Sequence, residues 1–266
     1  MKIGWIGLGM IGTAMVKRLL ATGFQVTAYE RGRGLEEVRS AGARTSADYQ
    51  SLAAESDLLT LCVYNDAQLR EVLFGSGALA AMRANAVLAI HTTGSPGLMR
   101  EIADAAPAGV AVLDATFSGG PHDADAAGLT LMVGGNQDEL ERVRPAFAAY
   151  ARRIEHLGAV GSGQVIKLLN NLLFATNLMN AAHVLELAGK QGFDGASIAS
   201  IIGTCSGASY AMARFQASQS AEVLLARVRP YLEKDVAAAM SAAKESGLDV
   251  SAFGAVADYF RPSDKR

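Results

Sequence analysis

A glycine fingerprint between an apolar run and a helical one constrains this chain more than any other feature. Lys2-Ile3-Gly4-Trp5-Ile6 reads as a buried strand of a parallel sheet, and Gly7-Leu8-Gly9-Met10-Ile11-Gly12 follows at once. From Thr13 to Ala21, the residues Ala14, Met15, Leu19 and Leu20 recur at helical spacing with Lys17 and Arg18 outward. Gly23 stops that helix, and Phe24 to Tyr29 reads as a second strand ending on Glu30. Strand, G-x-G-x-x-G, helix, strand and acid, in that order, form the front of a dinucleotide-binding Rossmann unit. Gly7 makes the tight turn, Gly9 lets a pyrophosphate approach the backbone, and Gly12 allows the helix to pack closely on the strand. The helix N-terminus adds free N–H groups and a partial positive charge. Gly7, Leu8, Gly9, Met10, Ile11 and Gly12 are thus the expected pyrophosphate contacts, with Glu30 placed for a ribose hydroxyl.

Composition excludes several classes. A chain of 266 residues is long enough for one or two domains, and with half of it hydrophobic it folds as a globular protein. Net charge is −2 and no basic run is long enough for a nucleic-acid footprint. Cys62 and Cys205 stand in apolar surroundings and read as buried free thiols of a reducing cytosol, with neither a disulfide nor a metal site expected. The N-terminus enters a strand without a leader-like pattern, so a cytoplasmic location is expected. The longest apolar stretch, 165–188, contains Lys167, His183, Glu186 and four asparagines, which marks a buried helix and not a membrane span.

Strand-like runs at 58–63, 86–90, 110–114 and 129–133 alternate with helical segments, the sign of a mostly parallel, doubly wound α/β sheet. The last of these helices is expected at about 138–150. From Gln164 onward only helical periodicity remains, which predicts a dinucleotide-binding domain over 1–157 and an all-α domain over 158–266 for substrate and dimerisation. The first helix of that second part is apolar nearly all round, which predicts burial on most sides and a homodimer or homotetramer.

Ligands of open α/β sheets lie beyond the C-terminal strand ends. Three segments qualify: Val63-Tyr64-Asn65, His91 to Pro96 with Thr93 at its centre, and the glycine-rich loop from Asp114 to His122. In the last, Ser118-Gly119-Gly120 offers a hydroxyl and backbone N–H groups suited to a carboxylate, or is a plain crossover loop. Gly161-x-Gly163-x-x-x-Lys167-x-x-x-Asn171 puts Lys167 and Asn171 on one helix face. A lysine among Val165, Ile166, Leu168 and Leu169 either has a partner and a task, or snorkels to water from the first turn.

Taken together these segments resemble the β-hydroxyacid dehydrogenase family, which includes 3-hydroxyisobutyrate and tartronate semialdehyde dehydrogenases. The resemblance rests on Gly7 to Met15, Thr92-Thr93-Gly94-Ser95-Pro96, Asp114 to Gly120, Gly128 to Gly135, Gly161 to Asn171 and Lys234-Asp235, and covers nearly the whole chain. It implies hydride transfer between a nicotinamide dinucleotide and a short hydroxy acid or its semialdehyde. It further implies Lys167 as general acid/base with Asn171 beside it, and Ser118, Gly119 and Gly120 on the substrate carboxylate. Thr93 would lie beside the nicotinamide and the substrate, Val63 and Tyr64 would face the cofactor, and Lys234 would reach it from the helical part. Thr116 and Phe117 depart from the family's usual Pro-Val, His183 stands where a glutamate is frequent, and Arg227 where an aromatic is common. Arg227 and His122 are therefore candidate pocket residues, or solvated surface ones, Arg227 being placed to pair with a substrate anion. Glu30 argues for NAD, whereas Arg31 and Arg33 could grip the 2′-phosphate of NADP; NAD is the expected cofactor. Related imine reductases replace the lysine with aspartate or tyrosine, and a non-catalytic dinucleotide binder should have lost it, so Lys167 argues against both.

Overall fold

A computed structural model describes residues 1–218, 220–245 and 249–261. Its one sheet has eight strands: β1 (Lys2–Ile6), β2 (Gln25–Tyr29), β3 (Arg44–Ser46), β4 (Leu58–Leu61), β5 (Val87–Ile90), β6 (Ala111–Ser118), β7 (Leu129–Gly134) and β8 (Ala151–His156). They lie in the order β3-β2-β1-β4-β5-β6-β7-β8. Every neighbouring pair is parallel except β6 with β7. The first six strands thus follow the doubly wound order, whose direction of growth reverses between β1 and β4 and leaves a crevice beyond their C-terminal ends.

Burial follows from that layering. All residues of β4 and β5 are buried, as expected of short apolar runs covered on both faces. One face packs Trp5, Met15, Leu19, Val26, Phe147 and Tyr150; the other packs Ile6, Leu59, Leu69, Leu88 and Ile102.

Several expectations need correction. Both sheet edges escaped the sequence reading: β3 is three residues long, and β8 carries Arg152, Arg153 and Glu155. Short or charged edge strands resist further pairing, and for the same reason they lack a strong hydrophobic alternation. Asp114 to Ser118 is no loop; it continues β6, paired residue by residue from Asp114↔Gly134 to Ser118↔Thr130. The helix after β4 is α-helical only over Asp66–Arg70 and continues as a π-helical turn over Glu71–Gly75. Cys205 is exposed, whereas the Cys62 thiol is pushed up to about 12 by burial.

Contacts divide the chain into Met1–Lys167 and Leu168–Arg266. That division falls inside the long helix Ser162–Lys190, whose first turn is hydrogen-bonded into the sheet unit. The second unit continues with helices Gly195–Ile202, Tyr210–Gln216, Ala221–Glu245 and Gly254–Tyr259 around Leu172, Leu178, Phe215, Leu232, Val236 and Phe260. The long helix is not buried on most sides. Val165, Ile166, Leu169 and Leu173 form an exposed apolar stripe, with Leu173 60% accessible. Hydrophobicity all round a helix carries no periodic signal from which the covered face could be read. No helix among the described residues is long and apolar enough to cross a membrane.

Candidate active site

The glycines after β1 differ as their positions demand. Gly7 has φ +108°, and a Cβ there would lie 2.2 Å from the Cys62 carbonyl oxygen. A Cβ on Gly12 would lie 2.1 Å from the Gly7 carbonyl oxygen, so the helix can approach only without one. A Cβ on Gly9 would meet nothing within 4 Å. Trp5 Nε1 donates to the Gly7 oxygen at 3.0 Å and fixes the turn from below. The helix Met10–Ala21 starts on Gly9 with no side-chain cap and no acid in its first turn. Leu8 is buried in the core while Met10 is exposed, so Leu8 can meet a ligand only through its backbone. Open space over Gly9 and uncapped N–H groups fit a dinucleotide pyrophosphate.

At the end of β2, Glu30 Oε1 accepts from Thr45 Oγ1 at 2.6 Å and from Arg39 Nη2 at 2.9 Å. Thr45 and then Arg39 hold this carboxyl below its ordinary range. Arg31 and Arg33 are exposed, Arg31 Nη1 lying 3.8 Å from Glu71 Oε1.

The loops after β4 and β5 are tied together. The Val63 N–H donates to Thr92 Oγ1 at 2.9 Å, and the Ser95 N–H to Asp66 Oδ2 at 3.1 Å. Half-buried Thr93 lies between these ties, and Tyr64 is exposed, its own N–H on Gln68 Oε1 at 2.9 Å. Beneath them, buried His91 bridges the Ala115 carbonyl through Nδ1 and Tyr150 Oη through Nε2, the latter at 2.9 Å. Nδ1–H donates to the carbonyl, so Nε2 accepts from the tyrosine. Burial lowers the imidazole to about 4.

The start of the lysine helix is locked to β6 and β7. Buried Asp114 receives the Gly161 N–H on Oδ1 at 2.7 Å and the Gln164 N–H on Oδ2 at 2.8 Å. Burial raises this carboxyl to about 6, against the opposing pull of those N–H groups. A Cβ on Gly163 would lie 2.4 Å from the Met132 carbonyl oxygen and 2.7 Å from that of Asp114. The second glycine of G-x-G-x-x-x-K is thus required by close packing of helix on sheet. Thr116 Oγ1 donates to the Gly163 carbonyl at 3.1 Å, and Lys167 Nζ stands 5.9 Å from the Phe117 ring centroid. The two departures from Pro-Val therefore meet the lysine helix directly.

The glycine turn after β6 is less open than expected. Gly119 has φ +125°, but the Gly120 N–H donates to Asp123 Oδ2 at 2.6 Å and is not a free donor. In the second unit, buried Asn171 donates through Nδ2 to Asp235 Oδ2 at 2.6 Å and accepts from Asn170 Nδ2 at 3.0 Å. Lys234 Nζ pairs with Asp235 Oδ1 at 3.1 Å, so Asn171, Asp235 and Lys234 form one cluster. Arg227 and His122 are exposed, and exposed His183 stands edge-on to Tyr259 with ring centroids 5.3 Å apart. Sequence reasoning missed the Asp114 carboxylate, Gln164 and Asp235 as parts of these networks. Asp235 adjoins a recognised lysine, but the partners of Asp114 and Gln164 lie 47 to 72 residues away along the chain and follow no local spacing. Among the described residues no group of three or more His, Cys, Asp and Glu side chains could hold a metal ion.

Comparison with known proteins identifies the family. A family model described as the NAD-binding domain of 6-phosphogluconate dehydrogenase matches residues 2–158. A second, described as NAD-binding of NADP-dependent 3-hydroxyisobutyrate dehydrogenase, matches residues 161–265. An uncharacterised oxidoreductase of Shewanella frigidimarina is 32% identical, the alignment covering 97% of this chain and 91% of that one. A 2-(hydroxymethyl)glutarate dehydrogenase of Eubacterium barkeri is 35% identical over 79% of this chain and 71% of its own. The structure of Mycobacterium tuberculosis 3-hydroxyisobutyrate dehydrogenase with L-serine superposes with a TM-score of 0.84 at 27% identity, covering 97% of this chain and 92% of that one.

Proposed function

The chain belongs to the β-hydroxyacid dehydrogenase family of nicotinamide-dependent oxidoreductases, and from that premise we propose that it interconverts a primary alcohol and its aldehyde on a short acid of the form HOCH2–CHR–COO−, with Lys167 as the general acid/base. The observation that carries this reading is the placement of Lys167. Its ammonium stands over the ring of Phe117, the residue before Ser118 in the chain, on a helix whose first turn is hydrogen-bonded to β6. The names of relatives support this substrate class, because 2-(hydroxymethyl)glutarate and 3-hydroxyisobutyrate, and the L-serine present in one related structure, share that carbon skeleton and differ in R.

When bound, the dinucleotide supplies the hydride donor or acceptor at the nicotinamide ring. The chain does the rest by position and charge. Gly7 to Gly12 bind the pyrophosphate, through backbone N–H groups. Val63, Tyr64 and Thr93 line the cofactor side, and Lys234, paired with Asp235, is the cofactor residue proposed from the helical unit. Ser118 and the Gly119 N–H hold the substrate carboxylate, with Gly120 shaping the turn. Lys167 donates a proton to the carbonyl oxygen in reduction, and as the neutral amine takes the hydroxyl proton in oxidation. Asn171, one of whose Nδ2 protons is on Asp235, directs the other at the substrate oxygen.

NAD is the proposed cofactor, because Thr45 and Arg39 hold Glu30 ionised at the end of β2, where a carboxylate accepts from ribose hydroxyls and repels a 2′-phosphate. Initial rates with both cofactors test this; a strong NADP preference would show that Arg31 and Arg33 outweigh Glu30. The exposed stripe on the lysine helix supports a homodimer or homotetramer, which light scattering on the purified chain reads directly. The functional test is a panel of C3–C5 hydroxy acids and semialdehydes. Lys167→Ala should lower kcat by about 10³-fold and leave dinucleotide binding measurable. Unaltered turnover in that variant would remove Lys167 from the mechanism.

A further inference from the structure

Gln164 lies on the lysine helix one turn before Lys167 and is fully buried, a rare position for a glutamine. Its carboxamide makes two bonds to one short piece of backbone. Oε1 accepts from the Gly94 N–H at 2.9 Å, and Nε2 donates to the Thr92 carbonyl at 2.8 Å. These two groups flank Thr93, just past the end of β5, where strand pairing has stopped. A primary amide presents a donor and an acceptor side by side, as an adjacent strand would, so Gln164 replaces the missing neighbour.

Satisfying two buried backbone groups could be the whole of its task, but its place in the network points further. The loop around Thr93 is tied on its other sides to the β4 end, through Thr92 Oγ1 to Val63 and through Asp66 to Ser95. Asp114 ties the lysine helix to β6 and has no bond to that loop. Gln164 belongs to both sets: its own N–H is on Asp114 while its carboxamide holds the loop. At i and i+3, Gln164 and Lys167 share a helix face.

We propose that Gln164 is a positioning residue for hydride transfer, cross-linking the Thr93 loop to the first turn of the Lys167 helix so that cofactor-side and proton-side groups keep one spacing. This rests on the reading of Lys167 as acid/base and of Thr93 as a cofactor neighbour. The pyrophosphate end is untouched by Gln164, so its loss should act on the chemical step and not on cofactor affinity. Small misplacement at a reacting centre costs up to about 10²-fold in rate.

The experiment uses Gln164→Leu, which removes both bonds at similar volume, and Gln164→Glu, which keeps the acceptor for Gly94 and sets an oxygen against the Thr92 carbonyl. Three readouts are taken on the full chain. These are steady-state kinetics with the kinetic isotope effect from nicotinamide deuterated at C4, dinucleotide affinity by titration, and amide hydrogen exchange of the 91–96 segment. The expected result is a fall in kcat of about 10- to 100-fold with dinucleotide Kd changed less than about threefold. The isotope effect on kcat should rise, and exchange at Gly94 should accelerate at least about tenfold in Gln164→Leu while Gln164→Glu retains part of the protection.

Unchanged kcat and isotope effect in a folded variant would overturn the proposal, as would a loss of cofactor affinity equal to the loss of rate, which marks a structural role. Should Gln164→Leu not fold, Gln164→Glu decides by the same criteria. Lys167→Ala, run in parallel, separates the two readings. Turnover that survives it removes the acid/base reading, whereas its loss beside wild-type rates in both Gln164 variants removes only the cross-link. If the wild type turns over no acid of the panel, unaccelerated exchange at Gly94 overturns the cross-link by itself.

Discussion

The helix Met10–Ala21 begins on Gly9 with its first N–H groups uncapped, whereas the start of Ser162–Lys190 receives the Asp114 carboxylate on the N–H groups of Gly161 and Gln164. Both starts carry a G-x-G in sequence, and both press backbone against backbone at the second or third glycine. They part in what meets the positive end of the helix. Six helices elsewhere are capped by Asp48, Asn65, Ser95, Asn136, Asp194 and Ser209, but Leu35–Ser40, Ala78–Ala81 and Gly254–Tyr259 also start without a side-chain cap, so the missing cap takes its meaning from the glycine fingerprint around it. The difference shows that a glycine pair before a helix does not by itself announce an anion site. An internal carboxylate has already used the same physics at the lysine helix, where rigidity is needed, and none has done so at the fingerprint helix, where a ligand supplies the charge.

Unplugging the closed start is expected to have the largest effect. Asp114→Ala leaves two buried N–H groups without an acceptor and should cost about 4 kcal/mol of unfolding free energy, read from urea denaturation. Asp114→Asn keeps one acceptor and should cost about half of that. A loss under about 1 kcal/mol in the alanine variant would mean that the carboxylate does not close this helix end, and the contrast would collapse.

The open start was legible in the sequence because everything that makes it lies within 30 residues: strand, glycines, helix and acid are consecutive. The closed start was only half legible. Gly161, Gly163 and Lys167 stood out by spacing, but Asp114 read as part of a substrate loop, since nothing local says that its carboxylate turns back to meet a chain 47 residues on. The same limit hid Gln164, an unremarked x in the motif. The sheet edges β3 and β8 were hidden for another reason, being too short or too charged to show alternation. Cys205 was misread because apolar neighbours in sequence do not fix on which side of a helix end a thiol emerges.

A second test asks whether the two starts share one core. Trp5 donates to Gly7 at the open start, its ring lies 5.8 Å from that of His91, and His91 bonds Ala115, next to Asp114 at the closed one. Folded His91 titrates at about 4 against 6.5 for the free imidazole, because burial disfavours its charge. Between those values the unfolded chain binds the proton and the folded chain does not, so stability is lost as pH falls from 6.5 to about 4. The loss attributable to this group is about 3 kcal/mol and should be absent in His91→Gln. Parallel unfolding curves for wild type and variant across that window would show that His91 charges in place, and that the link between the starts is looser than drawn.

The smallest effect gives the sharpest contrast, since it sets folding against binding at the open start. Gly9 has φ −76° and ψ −177°, a backbone that any N-cap residue adopts, and a Cβ there meets nothing within 4 Å. Gly9→Asp can therefore cap the fingerprint helix as Asp48 and Asp194 cap theirs. Without ligand the variant should be more stable by a few tenths of a kcal/mol, visible as a slightly higher Tm. With dinucleotide the new carboxylate occupies the N–H groups and repels the pyrophosphate, which should weaken binding about tenfold. Stabilisation coupled to weaker binding is the signature of a helix start left open for a ligand. Equal or tighter binding would instead place the pyrophosphate away from these N–H groups and remove the functional meaning of the missing cap.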